Sequence, residues 1–237
     1  MSDNLTILLL TTASISFLHT LMGPDHYLPF IVMSQSGKWS QRKTFWITVL
    51  CGLGHVTSSV LLAALAIGFG LTVVNLEFIE SLRSNLAGWL LISFGLVYMI
   101  WGIKKILKHR EHVHTHQHHD GEIHLHKHTH IGNHSHLHDQ SDTSRVSPWV
   151  LFIIFVFGPC EPLIPLVMYP ALNGNITGVI LVISVFTFIT LLTMIGIIVL
   201  TFYGLKQLSF KKLERYTPAI AGFTISLCGF AIQFLGL

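Results

Sequence analysis

A chain of 237 residues that is 51% hydrophobic and only 11% charged carries too little charge for a water-soluble domain, where about 25% is usual. Its mean hydropathy of +0.63 points to lipid as the main solvent. The formal net charge is +3, and the absence of a basic patch interleaved with aromatics argues against a nucleic-acid partner.

In chain order, the apolar segments fall at 5–34, 44–72, 86–103, 149–171, 176–204 and 217–236. Each is compared with the roughly 20 residues that a spanning helix needs. Met1-Ser2-Asp3-Asn4 lacks the positive start of a signal peptide, so the first segment is read as a helix of the mature protein. That segment is too long for one straight crossing. It contains Gly23-Pro24 and Pro29, which predict a break. The third segment is near the short end for a span.

The loops after spans 1, 3 and 5 carry Lys38, Arg42 and Lys43; Lys104, Lys105, Lys108, Arg110, Lys127 and Arg145; and Lys206, Lys211, Lys212 and Arg215. Only Arg83 falls on the other side. Basic loops stay cytoplasmic, so both termini are placed outside the cytoplasm of an inner-membrane protein. Trp39, Trp46, Trp89, Trp101 and Trp149 all sit near span ends, where an amphipathic ring prefers the interface.

Span 1 contains Gly23-Pro24-Asp25-His26-Tyr27-Leu28-Pro29, and span 4 contains Gly158-Pro159-Cys160-Glu161-Pro162-Leu163-Ile164-Pro165. Each opens a set of three spans. Three is odd, so the sets run in opposite directions, the pattern of inverted repeats with interrupted helices around a central site. Gly-Pro is also a common kink in membrane helices, but a polar pair follows it in both copies. The expected fold is all-α: a polytopic membrane protein of six transmembrane helices, built as two inverted three-helix repeats with helices 1 and 4 broken. Residues 1–103 form the first repeat, 104–147 a cytoplasmic His-rich loop, and 148–237 the second repeat. The loop holds no apolar run able to pack a core and is expected to be disordered without ligand.

Ionisable groups at membrane depth are costly and mark function. His19, Asp25 and His26 lie in span 1, and His55 lies in span 2 within Gly52-Leu53-Gly54-His55-Val56-Thr57-Ser58-Ser59. Imidazole and carboxylate together suit transition-metal ions. On an unbroken helix, His19 and His26 would stand about 10.5 Å apart along the axis. Either the Gly23-Pro24 break brings them together, or they serve successive positions on a path. The bland alternatives are an Asp25–His26 pair capping a broken helix and a satisfied core histidine at 55. In span 4, Glu161 has no basic residue in its own span. Cys160 is a soft ligand or a small packing residue.

The loop carries His112, His114, His116, His118, His119, His124, His126, His128, His130, His134, His136 and His138. With His109 these are 13 of the 16 histidines. Such composition reads as metal binding, as a buffer or sensor rather than a selective site, or else as a pH-responsive linker.

His19…Asp25-His26 and Leu53-Gly54-His55 resemble the nickel/cobalt transporter family, with its short urease-accessory UreH-like relatives and its efflux members with His-rich loops. The resemblance covers mainly the first half of the chain. It implies that His19, Asp25, His26 and His55 correspond to metal-path residues. The family signature has four residues between its first His and its Asp-His pair; here there are five. Gly158-Pro159-Cys160-Glu161-Pro162 is more similar to the repeat pattern of thiol-redox membrane carriers. Those carriers need a cysteine in each half, and the matching position here is Asp25, so efficient dithiol exchange is not expected. Cys51, Cys160 and Cys228 form neither a CxxC pair nor a disulfide framework.

The function expected on these grounds is transmembrane movement of Ni2+ or Co2+, with Zn2+ as an option, through His19, Asp25, His26, His55, Cys160 and Glu161. No permanently bound cofactor is expected. The expected partners are the divalent ion and the bilayer, with a second copy of the chain or a cytoplasmic metallochaperone as protein partner. The alternatives are a thiol-redox carrier using Cys160 and Cys51, and an anion or organic-solute exporter with a metal-sensing loop. No HExxH pair suggests an enzyme. Accessibility labelling of Ser141→Cys and Asn173→Cys variants is expected to place the two on opposite faces of the membrane; same-side labelling overturns the six-span map.

Overall fold

In a bilayer, backbone N–H and C=O groups find no water and must be paired within the protein, which favours continuous helix. The structure, a computed structural model, describes residues 3–69, 73–108, 112–117, 123–128, 143–158, 160–206 and 214–235. Eight helices are present among them: α1 (Asp3–Met22), α2 (Leu28–Ser36), α3 (Gln41–Gly68), α4 (Val73–Lys108), α5 (Thr143–Phe157), α6 (Leu163–Leu172), α7 (Ile176–Lys206) and α8 (Thr217–Leu235). Five of them are long and apolar enough to cross a membrane: α1, α3, α4, α7 and α8. Large apolar side chains such as Leu10, Leu50, Phe78, Phe188 and Leu200 point outward. Helices that are apolar on their outer as well as their inner faces are those of an integral membrane protein.

The break expected at Gly23-Pro24 is present, between α1 and α2. The fourth apolar segment is also interrupted and forms the shorter pair α5 and α6. Two expectations need correction. The third segment does not begin at residue 86: α4 starts at Val73 and carries Glu77, Glu80 and Arg83 inside the helix. Charge alone made that stretch look like a loop. The chain is also not purely α-helical, and 104–147 is not wholly without structure. Within it, β1 (His112–Gln117) and β2 (Ile123–His128) pair antiparallel, with His112 opposite His128, His114 opposite His126, and His116 opposite His124. Residues 118–122 and 129–142 lie outside the described residues.

α4 packs along α8, α1 along α7, and α3 against α5 and α7; α2 lies on α8 and α6 on α7. The α4–α8 contact is close because glycines recur every seventh residue on both helices: Gly88, Gly95 and Gly102 on α4, Gly222 and Gly229 on α8. A methyl group at Gly102 would stand 2.5 Å from Ala219 N, and one at Gly229 2.7 Å from Ile92 N. At Gly95 and Gly222 it would run into the backbone nitrogens of Ser226 and Met99. Small residues let membrane helices approach this closely where no hydrophobic drive between helices exists. Gly222→Ala is expected to destabilise the fold by at least about 1–3 kcal/mol. Thermal unfolding in detergent checks this, against Gly196→Ala in α7, where an added methyl meets nothing within 4 Å.

Candidate functional site

The first break begins where α1 closes on Gly23, whose N–H donates to His19 O at 2.9 Å. Pro24 has no N–H to continue the ladder and starts a 3-10 turn over Pro24–His26. Within it the His26 N–H donates to Gly23 O at 3.1 Å. Pro29 then sits in the first turn of α2, where a missing N–H costs nothing. The turn folds His26 back beside His19, with ring centroids 4.8 Å apart and planes at 81°. His55, from α3, meets His26 from another side at 5.2 Å and 84°. His26 and His55 are buried and His19 is half-buried.

The outer nitrogens of His26 and His55 are anchored. His26 Nδ1 lies 3.2 Å from both Gly23 O and Asp25 Oδ1. His55 Nδ1 lies 3.2 Å from Phe155 O. A backbone carbonyl only accepts, so His55 Nδ1 carries the proton and Nε2 keeps its lone pair. The same reasoning applies to His26, whose Nδ1 partners are both acceptors. The Nε2 atoms of His19, His26 and His55 are buried without a hydrogen-bond partner. The three rings offer ligand atoms that lie within 4.8 Å of one another, and among the described residues they are the one group of three or more metal-ligating side chains to do so.

The second break separates α5 from α6, and there an ion pair on α4 supplies the missing backbone partners. Arg83 donates to Val156 O at 3.0 Å and Gly158 O at 2.9 Å, carbonyls left over at the end of α5. It also donates to Ser58 Oγ at 2.7 Å and Ser59 Oγ at 3.1 Å on α3. Glu80, paired with Arg83, accepts the Cys160 N–H at 3.3 Å just before α6. The cation thus faces a helix C-terminus and the anion a helix N-terminus, the favourable sense for both dipoles. Glu80 is only 1% exposed. The sequence signal of this pair is a Glu and an Arg three apart at the head of an apolar segment, which hydropathy alone does not pick out.

The six residues singled out from sequence therefore separate. His19, His26 and His55 come together with Asp25 beside them. Cys160 is fully buried in an apolar cluster with Val56, Leu163 and Val167. Glu161 is exposed on the turn before α6. Neither Cys160 nor Glu161 joins the imidazole group. All three cysteines are free and buried. The loop residues His118, His119, His130, His134, His136 and His138 lie outside the described residues.

Two interrupted helices in a lipid-facing bundle, with ionisable side chains packed at both interruptions, define a polytopic membrane protein with a polar centre. The family described as cytochrome c biogenesis protein transmembrane region matches residues 29–231, and the chain belongs to it. No curated protein and no solved structure matches the chain. This corrects the resemblance to nickel/cobalt transporters, and the reading of the chain as a nickel or cobalt transporter falls with it: the family is a thiol-redox one. His…Asp-His and Gly-His are short motifs. They report which ligands are present, not which fold family carries them.

Arg83→Gln leaves Glu80 buried without its partner, a change that costs about 3–5 kcal/mol in buried pairs. The Glu80→Gln plus Arg83→Gln double variant is expected to recover part of that loss. Unfolding temperatures in detergent give both values, together with the maleimide labelling rate of Cys160, which is expected to rise in Arg83→Gln.

Proposed function

We propose that the protein is a membrane redox carrier of the cytochrome c biogenesis class, passing thiol equivalents through Cys160. The observation that carries this reading is the family match over 29–231, which includes the second helix break and the cysteine in it. Six crossings in two inverted halves suit that task. The pairing of α1 with α7 has its counterpart in α5 with α3, and α4 meets α8. In this arrangement the basic loops and the His-rich segment face the cytoplasm of an inner membrane, and the termini lie outside it.

Asp25 stands where a second cysteine would complete a dithiol, so the resolving sulfur comes from a partner. The Cys160 thiolate attacks a partner disulfide, forming a mixed disulfide and releasing one partner thiolate. A donor thiolate then attacks the Cys160 sulfur and displaces the second partner thiolate. A second donor thiolate frees Cys160 and leaves the donor as its disulfide. Two electrons pass from donor to partner, and Cys160 ends as it began. Cys160 has no exposed surface. Exchange therefore requires the second break to open, and the Arg83–Glu80 pair is the latch that holds it shut.

In proteoliposomes with a thiol reductant inside and a disulfide reporter outside, Cys160→Ser is expected to reduce transfer to background. Cys51→Ser and Cys228→Ser are expected to leave it within about twofold of the parent, since neither lies at the second break. Undiminished transfer by the variant lacking all three cysteines would sink the redox reading.

A further inference from the structure

Thiol exchange at Cys160 makes no use of the imidazole group. We infer that His19, His26 and His55 form a binding site for a d10 transition-metal cation, Zn2+ or Cu+, held within the membrane. This goes beyond the redox reading and does not rest on it.

Three observations carry it. First, the Nε2 atoms of all three rings are buried without a partner. Each unsatisfied buried polar atom costs about 1–3 kcal/mol, and three such costs at one point call for a shared ligand. Second, the anchoring is that of metal-binding histidines. Phe155 O holds the Nδ1 side of His55, while Gly23 O and Asp25 Oδ1 together hold that of His26, which fixes the tautomer and leaves Nε2 with its lone pair free for a cation. Third, the donor atoms lie within 4.8 Å of one another. A closed tetrahedral site with bonds of about 2.0–2.1 Å needs nitrogens about 3.3 Å apart, so small ring movements complete it.

The class of cation follows from the donor set. Each of the three rings offers one nitrogen, and no further ligating side chain joins them among the described residues. That suits an ion content with trigonal or tetrahedral coordination, as d10 ions are, and not one that demands six ligands. Asp25 sits outside the ring of donors and offsets the charge brought into a low-dielectric site. A cavity of about 320 Å3, lined by Gln41, Arg42, Thr48 and Tyr203 among others, lies at the first-loop end of α3.

The test uses the full chain with its 13 loop histidines replaced by glutamine, which leaves only His19, His26 and His55 of the 16. After separate loading with Zn2+ or with Cu+ under anaerobic reductant and exhaustive dialysis, elemental analysis is expected to find one cation per chain with at least one of the two. X-ray absorption is expected to show a nitrogen shell at about 2.0 Å. His26→Gln and His55→Gln, chosen to keep side-chain volume and polarity, are expected to abolish retention while helicity and gel-filtration behaviour stay unchanged. Asp25→Asn is expected to weaken affinity about 10–100-fold. Retention that survives both glutamine variants, a sulfur-containing metal shell, or no retention of either ion by the correctly folded parent overturns the site. Cys160→Ser is expected to bind metal normally, so a failed thiol-transfer assay and a failed metal site are told apart.

Discussion

Everything in this molecule follows from the need to leave no backbone polar group unpaired in lipid. Unbroken helices meet that need automatically, and most of the chain is helix of this kind. Among the described residues two places do not meet it, the interruptions after Met22 and after Phe157, and almost every buried ionisable side chain described is found at one of them. At the first, the 3-10 turn pairs most of the backbone by itself, and the His26 Nδ1–H is shared between Gly23 O and the Asp25 carboxylate. At the second, the chain has too few local partners, and α4 brings a guanidinium and a carboxylate from outside. A charge pair is costly to bury. Here that cost is offset because both charges face unsatisfied helix ends of the complementary sign.

The interruptions themselves were legible in the residues. Gly-Pro in an apolar segment too long for one crossing has few other meanings, and the break explains why His19 and His26 meet although a straight helix would separate them by about 10.5 Å. Meeting His55 was suggested only by its chemistry. What places it there is the close approach of α3 to α5, where Gly54 lies against Phe152 and Val156. That is a tertiary fact with no local signal.

Other features were hidden for identifiable reasons. Arg83 reads as a loop residue because hydropathy stops at charge, and a charge neutralised by a partner three residues away is invisible to it. The seven-residue spacing of Gly88, Gly95 and Gly102 was present in the sequence, but it gains meaning only against Gly222 and Gly229 more than 100 residues later. The hairpin between 112 and 128 was obscured by composition: a histidine-rich polar segment reads as disordered, yet its alternation also permits strand pairing. The family is hard to read from the residues because two short metal-ligand motifs outweigh the one cysteine motif that points elsewhere.

The two interruptions are not independent of each other. Gly158 is the point they share: Arg83 holds its carbonyl, and His55 lies so near that a methyl group there would stand 3.0 Å from Nδ1. The carbonyl that anchors His55, Phe155 O, belongs to the last turn of α5, and the same carbonyl accepts the Gly158 N–H at 3.0 Å. Opening the second break far enough to expose Cys160 must move this turn. It then removes the hydrogen bond that fixes the tautomer and direction of His55. A ligand that pins His55 to His26 favours the closed arrangement, and by linkage the closed arrangement favours that ligand. The coupling needs no long pathway, because one helix end bears on both centres.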